Sequence, residues 1–342
     1  LYEKEHNLCA ATFQQAKGER ITKPQNHPAR TRRSSVRMWR MNRTRFRLSP
    51  DVFAVAALVL LWTLFFWRVL TPIRSDQASF KQGDFSGQFV AFGAYQYQRM
   101  SAGEIPLWNP YNNGGLPFIA DTQAAVFYPP RLLTIAFSSA SGTGWTYHTL
   151  ELEAITHVLA LTLMMYAFVR RLTRTAPHSV FGALAAALTI GYGGYVSGYP
   201  PLQLALLEAG IWLPLAALGL YEASQGDKLR WAWLMLTGLA LGLSWMAGHP
   251  QTSFFLTYFL MAYWAWRVGA RRWPWTRFVF GVALFGVVSV GLVAVTLLPG
   301  LEYLLLTSRS GLGFDAAGGG FPIQDFAQML VPRIVSLFSP LY

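Results

Sequence analysis

The residues best suited to chemistry gather in residues 71–147 and in short segments near positions 249 and 302. Asp84 lies in KQGDFSGQF, just ahead of a stretch with helical periodicity. A carboxylate there could accept backbone N–H groups as a helix cap. It could equally act as a general base or hold a divalent ion. Residues 103–130 read GEIPLWNPYNNGGLPFIADTQAAVFYPP. Turn formation accounts for the Pro, Gly and Asn, but not for Trp108, Tyr111, Phe118, Phe127 and Tyr128. Those rings suit either anchoring at a membrane interface or stacking on a sugar ring or lipid head group. Asp121 and Gln123 add polar groups near the end of the segment.

Further along, GHPQT places His249 and Gln251 on either side of Pro250, in a tight turn between two apolar runs. His249 fits a helix cap or a phosphate contact. Glu208 falls inside an apolar run, where a carboxylate costs a few kcal/mol unless it pairs or faces a cavity. Apart from Glu208, the apolar runs are read as holding only weak polar groups such as Thr162 and Ser244. In LLPGLEYLLLTSRSG, Glu302 and Arg309 follow the last run, and Arg309 could bind phosphate or pair with Glu302. The chain lacks G-x-x-x-x-G-K-[ST], H-E-x-x-H and any cysteine cluster, so neither a nucleotide-driven nor a zinc-protease mechanism has residues to stand on. GDFSG at 83–87 has no strand before it, so it is not a nucleophile elbow.

The elements that must position these residues are apolar helices. Of the 342 residues 53% are hydrophobic and only 13% charged, against about 25% charged in soluble proteins. Apolar runs at Val52–Leu70, Leu150–Val169, Val180–Ser197, Leu202–Tyr221, Trp231–Ala247, Thr252–Val268 and Phe278–Leu298 predict an all-α polytopic membrane protein of about seven spans. Arg170, Arg171, Arg174, Lys228, Arg230, Arg267, Arg271, Arg272 and Arg277 fall in alternate connections, and the loops at 199–201 and 248–251 hold no Lys or Arg. The positive-inside rule then puts the N-terminus in the cytoplasm and segments 71–147 and 299–342 outside. Within the first, Gln88–Met100 predicts an amphipathic helix on the membrane surface, ending near Gly103 ahead of Pro106. Val126–Ala136 predicts a second interfacial or re-entrant piece, interrupted by Pro129-Pro130. No internal repeat is visible, which removes support for an inverted-repeat transporter.

The net charge is +12, but residues 1–47 hold 12 Lys/Arg against 3 Glu, which gives +9. So local a surplus fits a basic segment that orients the first span rather than a nucleic-acid surface. The lone Cys9 excludes an intrachain disulfide. Met38 or Met41 would be a natural start, which sets residues 1–37 apart from the fold as an upstream extension.

Taken in order, the residues Ser101–Tyr111 (SAGEIPLWNPY), GGLPFIADTQ, FYPP, GHPQT and LLPGLEYLLLTSR resemble the YfhO-type bacterial membrane proteins, grouped with the GT-C superfamily of glycosyltransferases. The resemblance covers about residues 75–342. It implies a bacterial cytoplasmic-membrane enzyme with a GT-C-like fold. Such an enzyme moves a sugar from a polyprenyl-phosphate carrier to an extracytoplasmic acceptor, a cell-envelope polymer or lipid. It implies that Asp84, in the first outer loop, is the catalytic or metal-binding acid, with Mg²⁺ or Mn²⁺ as its cofactor. Trp108, Asn109, Tyr111, Asp121, Gln123, His249, Gln251, Glu302 and Arg309 are then expected to contact substrate. Arg309 and His249 would face the leaving phosphate. Family members are longer, so the chain is expected to be part of a larger protein. A transporter or flippase, and a non-enzymatic envelope assembly factor, are the rival functions.

Overall fold

A computed structural model of the chain describes residues 49–80, 83–112, 114–198 and 203–307. The first helix, α1 (Pro50–Phe65), starts where Ser49 caps it and Pro50 presets its first turn, and a short α2 (Trp67–Leu70) continues it. After the outer segment come α3 (Val90–Ser101), entered through a π-helical turn at Phe85–Phe89, strands β1 (Trp108–Asn109) and β2 (Leu116–Pro117), and α4 (Pro129–Ala140). The rest of the bundle is α5 (Tyr147–Leu172), α6 (Ser179–Tyr192), α7 (Gly194–Ser197), α8 (Leu204–Gly210), α9 (Leu213–Ala223), α10 (Trp231–Met246), α11 (Pro250–Ala270) and α12 (Trp275–Leu305).

The chain is mostly helical and membrane-embedded in character. Among the described residues, four helical stretches are long and apolar enough to cross a bilayer: Tyr147–Leu172, Ser179–Ser197, Leu204–Ala223 and Trp275–Leu305. Each of the seven apolar runs contains a helix, but the other three fall short of that standard. α1 and α10 have 16 residues each, or about 24 Å against a core of about 30 Å. α11 is long enough at 21 residues but carries Gln251, Thr252, Ser253 and Arg267.

Polar contacts at one end of the bundle fix the helix directions. Asp51, in the first turn of α1, accepts Nε of Arg170 at 2.7 Å and the Tyr166 hydroxyl at 2.6 Å, while Arg170 donates to Ser179 at the start of α6 at 2.9 Å. Buried Glu222, at the end of α9, accepts both Arg171 at 2.6 Å and Arg230 at 2.9 Å. Arg267 near the end of α11 donates to Ser224 at 2.8 Å, and Arg277 at the start of α12 donates to the Asp227 carbonyl at 3.2 Å. The N-termini of α1, α6, α10 and α12 therefore meet the C-termini of α5, α9 and α11, and successive long helices run antiparallel. Close packing needs small residues: a Cβ on Gly238 or Gly242 of α10 would collide with α12 at Phe285, Val288 or Leu292.

Residues 71–147 pack at the opposite end. The expected helix near 88–100 is present and ends as predicted, with Gly103 at φ +78°. Pro129 and Pro130 do not interrupt the second helix; they occupy its first turn, where a missing N–H costs nothing. One feature departs from an all-α fold. Trp108 pairs with Pro117 and Asn109 with Leu116 in a two-residue antiparallel ladder.

Candidate functional site

The outer segment is folded around buried aromatic rings. Phe118 is fully buried and meets Phe92 edge-on at 5.3 Å. Gln96 of α3 reaches across to donate to the Val126 carbonyl at 2.8 Å. The Tyr95 hydroxyl donates to the Trp108 carbonyl, which ties the hairpin to α3. Short 3-10 turns at Phe118–Ala120 and Thr122–Ala124 follow, and left-handed Ala125, at φ +49°, leads the chain towards α4. Phe118 and Tyr128 are thus core residues rather than stacking platforms, a correction to their expected role. Trp108 and Tyr111 stay exposed, at 53% and 79%.

Between α3, the hairpin, the two 3-10 turns and the end of α12 lies an open cleft of about 1100 Å³. Gln88, Asn109, Tyr111, Asp121, Gln123 and Tyr303 line it. Its side chains are pinned by hydrogen bonds to one another and to nearby backbone. Asn109 accepts the Tyr111 N–H at 3.0 Å, Asp121 accepts the Gln123 N–H at 3.0 Å, and the Gln88 side chain donates to Oε1 of Gln123 at 2.5 Å. Burial pushes the Asp121 carboxyl above the usual range, opposed by the Gln123 and Ala124 N–H groups. The wall beside it is tight. Gly248, at φ +87°, sits directly against the Thr122 carbonyl, where a Cβ would clash.

The structure brings Asn109, Tyr111, Asp121 and Gln123 together and leaves Asp84, Trp108, His249, Gln251 and Glu302 outside the cleft lining. Asp84 is exposed at the start of the π-helical turn. It makes no capping bond and instead accepts Nε2 of Gln203 at 2.8 Å. That amide is its only hydrogen-bonding side chain among the described residues, and no group of three or more His, Cys, Asp or Glu placed to hold a metal ion is found there or elsewhere among them. Among the described residues, Asp84 and the Gln203 amide fall short of the several oxygen ligands that a protein-held divalent ion takes. His249 caps α11, accepting the Thr252 N–H at 3.2 Å. Burial lowers its pKa, so it is a neutral cap rather than a cation facing phosphate. Gln251 and Glu302 are exposed on α11 and α12. Arg309 lies outside the described residues.

A second polar cluster joins α4, α5 and α8. Arg131 of α4 donates from Nε to Glu153 of α5 at 2.6 Å and from Nη2 to Glu208 of α8 at 3.1 Å, with all three side chains 2% exposed. His157 Nδ1 bonds the Glu153 carbonyl at 2.8 Å, so its Nε2 is left to accept the Tyr128 hydroxyl at 2.9 Å. Trp212 donates to that same hydroxyl at 3.2 Å. Burial pushes the Tyr128 phenol well up, which keeps it protonated as a donor. The run Leu150–Val169 therefore holds Glu151, Glu153 and His157, contrary to the expectation that Glu208 stands almost alone. ELEAITH was itself the signal, since acids and an imidazole in an apolar helix must be compensated.

No family model matches the chain, and neither a curated protein nor a solved structure is found similar to it.

Proposed function

We propose that the chain is the membrane portion of a glycosyltransferase that takes a sugar from a polyprenyl-phosphate carrier and passes it to a hydroxyl of a cell-envelope polymer or lipid. In this account α1 with α2 is about 30 Å long and spans together with six further crossings. The basic belt at Arg170, Arg171, Arg230 and Arg267 faces the cytoplasm of a bacterium. The cleft then opens outside, as in a GT-C-like arrangement, and the resemblance to YfhO-type proteins over residues 75–342 supports the same choice.

The observation that carries the proposal is the cleft lining. Amides from Gln88, Asn109 and Gln123 offer donors and acceptors in fixed positions, Tyr111 offers a ring face, and Asp121 supplies one carboxylate. A sugar presents hydroxyls and an apolar ring face, which this set can meet. Transfer requires that an acceptor oxygen attack the anomeric carbon as the carrier phosphate leaves. The acceptor proton passes to a carboxylate, and Asp121 suits that role because it lines the cleft and burial has raised its basicity. Asp84, one turn before Gly87 and Gln88, is the alternative base. Cells carrying the full-length gene as wild type, Asp121→Asn or Asp84→Asn, compared by mass spectrometry of envelope glycans, separate the two. Loss of a hexose modification in Asp121→Asn at unchanged protein level supports the assignment, whereas loss only in Asp84→Asn moves the base there. Unchanged glycans in both variants overturn the transferase.

The buried Glu153, His157 and Glu208 favour one second function, a proton-linked transporter or flippase, since charged groups inside spans often mark transport paths. Solute uptake by proteoliposomes without any sugar transfer would select it.

A further inference from the structure

Beside the Arg131 cluster runs a groove of about 500 Å³ between α4 and α5, separate from the cleft at Asp121. Two of its hydroxyls face it as acceptors. The hydroxyls of Thr134 and Thr156 donate back to their own helices, to Pro130 at 3.1 Å and Leu152 at 2.7 Å, and leave only lone pairs outward. Glu153 lines the groove, and its Oε2 is buried without any hydrogen-bond partner among the described residues. The cluster sets one guanidinium against two carboxyl groups. A buried carboxyl oxygen left without a partner calls for a donor. The rim is apolar and bare: Leu133 and Phe137 of α4 are 71% and 73% exposed.

We infer that this groove binds a membrane lipid with a primary ammonium head group, which donates to Glu153 Oε2 while its acyl chains lie over Leu133 and Phe137. Charge complementarity selects the head group, since an anionic head would meet a carboxylate and a trimethylated one has no N–H to give. The apolar rim selects an amphiphile over a free amine. The site does not depend on the transferase assignment.

The test is lipid retention by the full chain in nanodiscs of phosphatidylglycerol doped with either phosphatidylethanolamine or phosphatidylcholine, read by native mass spectrometry after mild delipidation. The expected result is one retained phosphatidylethanolamine per protein, favoured over phosphatidylcholine by at least about tenfold, as one charge-assisted hydrogen bond provides. Glu153→Gln should erase the preference. Leu133→Lys, at an exposed position and taken in protein shown to be folded by its tryptophan fluorescence, should erase it too, because the new ammonium can occupy the site from the rim. Equal retention of the two lipids overturns the inference and leaves a proton within the cluster as the neutralising charge. A preference that survives Leu133→Lys in folded protein overturns it as well.

Discussion

Replacing Arg131 with Met should cost more stability than any other single change in the outer segment. The guanidinium is the only cation bonded to Glu153 and Glu208 among the described residues, and all three side chains are 2% exposed. Removing it leaves two carboxyl groups facing each other in an apolar surround. Breaking a buried pair in this way typically costs about 3–5 kcal/mol, and protonation of the acids sets the upper bound. For a chain of 342 residues, with an unfolding entropy of about 2.1 cal/mol/K per residue, that corresponds to a fall of roughly 4–7 °C in Tm. Tryptophan fluorescence during thermal unfolding in detergent micelles reads the shift. The triple variant Arg131→Met, Glu153→Gln, Glu208→Gln should recover most of the loss, because a neutral cluster has no stranded charge. An Arg131→Met protein that unfolds within about 2 °C of wild type, well below the expected shift, would refute the reasoning.

Topology is open to cysteine labelling in a Cys9→Ser background. Tyr111→Cys, at a highly exposed position of the cleft, should react with an impermeant maleimide in intact cells, and Arg174→Cys only after permeabilisation; the reverse pattern would invert the bundle. Gly248→Ala forces a Cβ against the Thr122 carbonyl at φ +87°, a strain of about 1–3 kcal/mol. It should impair transfer more than it lowers Tm because the displaced segment carries Gln123, and a variant of wild-type activity would show that this contact is slack. Asp121, with its pKa raised by burial, must be ionised to act as a base. Transfer should therefore rise as pH climbs through a pKa above the ordinary value of about 3.9. Stability runs the other way in that window, since the folded state holds more protons than the unfolded one and loses stability as pH rises. A transfer profile with its acid limb at or below about pH 4 would exclude Asp121 as that base.

Much of the bundle was legible because a long apolar run bounded by positive connections has little to form except a helix buried in lipid or in its neighbours. All seven runs contain helices, and the arginines expected in alternate connections do meet at one end, bonded to Asp51 and Glu222. The outer segment was read less well. Strands of two residues leave no periodicity, so the pairing of Trp108–Asn109 with Leu116–Pro117 is visible only in three dimensions. Pro129-Pro130 looked like a break because proline stops a helix from within, yet at a first turn it starts one. Asp84 drew attention by its place in the chain, while Asp121 is the acid that lines the cleft. The Arg131 cluster is hard to see in the sequence because its members are 22 and 77 residues apart and an averaged hydropathy hides two acids in a span.

The most direct measurement is turnover by full-length protein in liposomes supplied with a polyprenyl-phosphate-linked hexose and an acceptor bearing a free hydroxyl, following release of polyprenyl phosphate. The account predicts release coupled one-to-one to glycosylated acceptor, and its loss in Asp121→Asn with the fold intact. Intact carrier in the presence of folded wild-type protein, across the carriers of common hexoses, would contradict it.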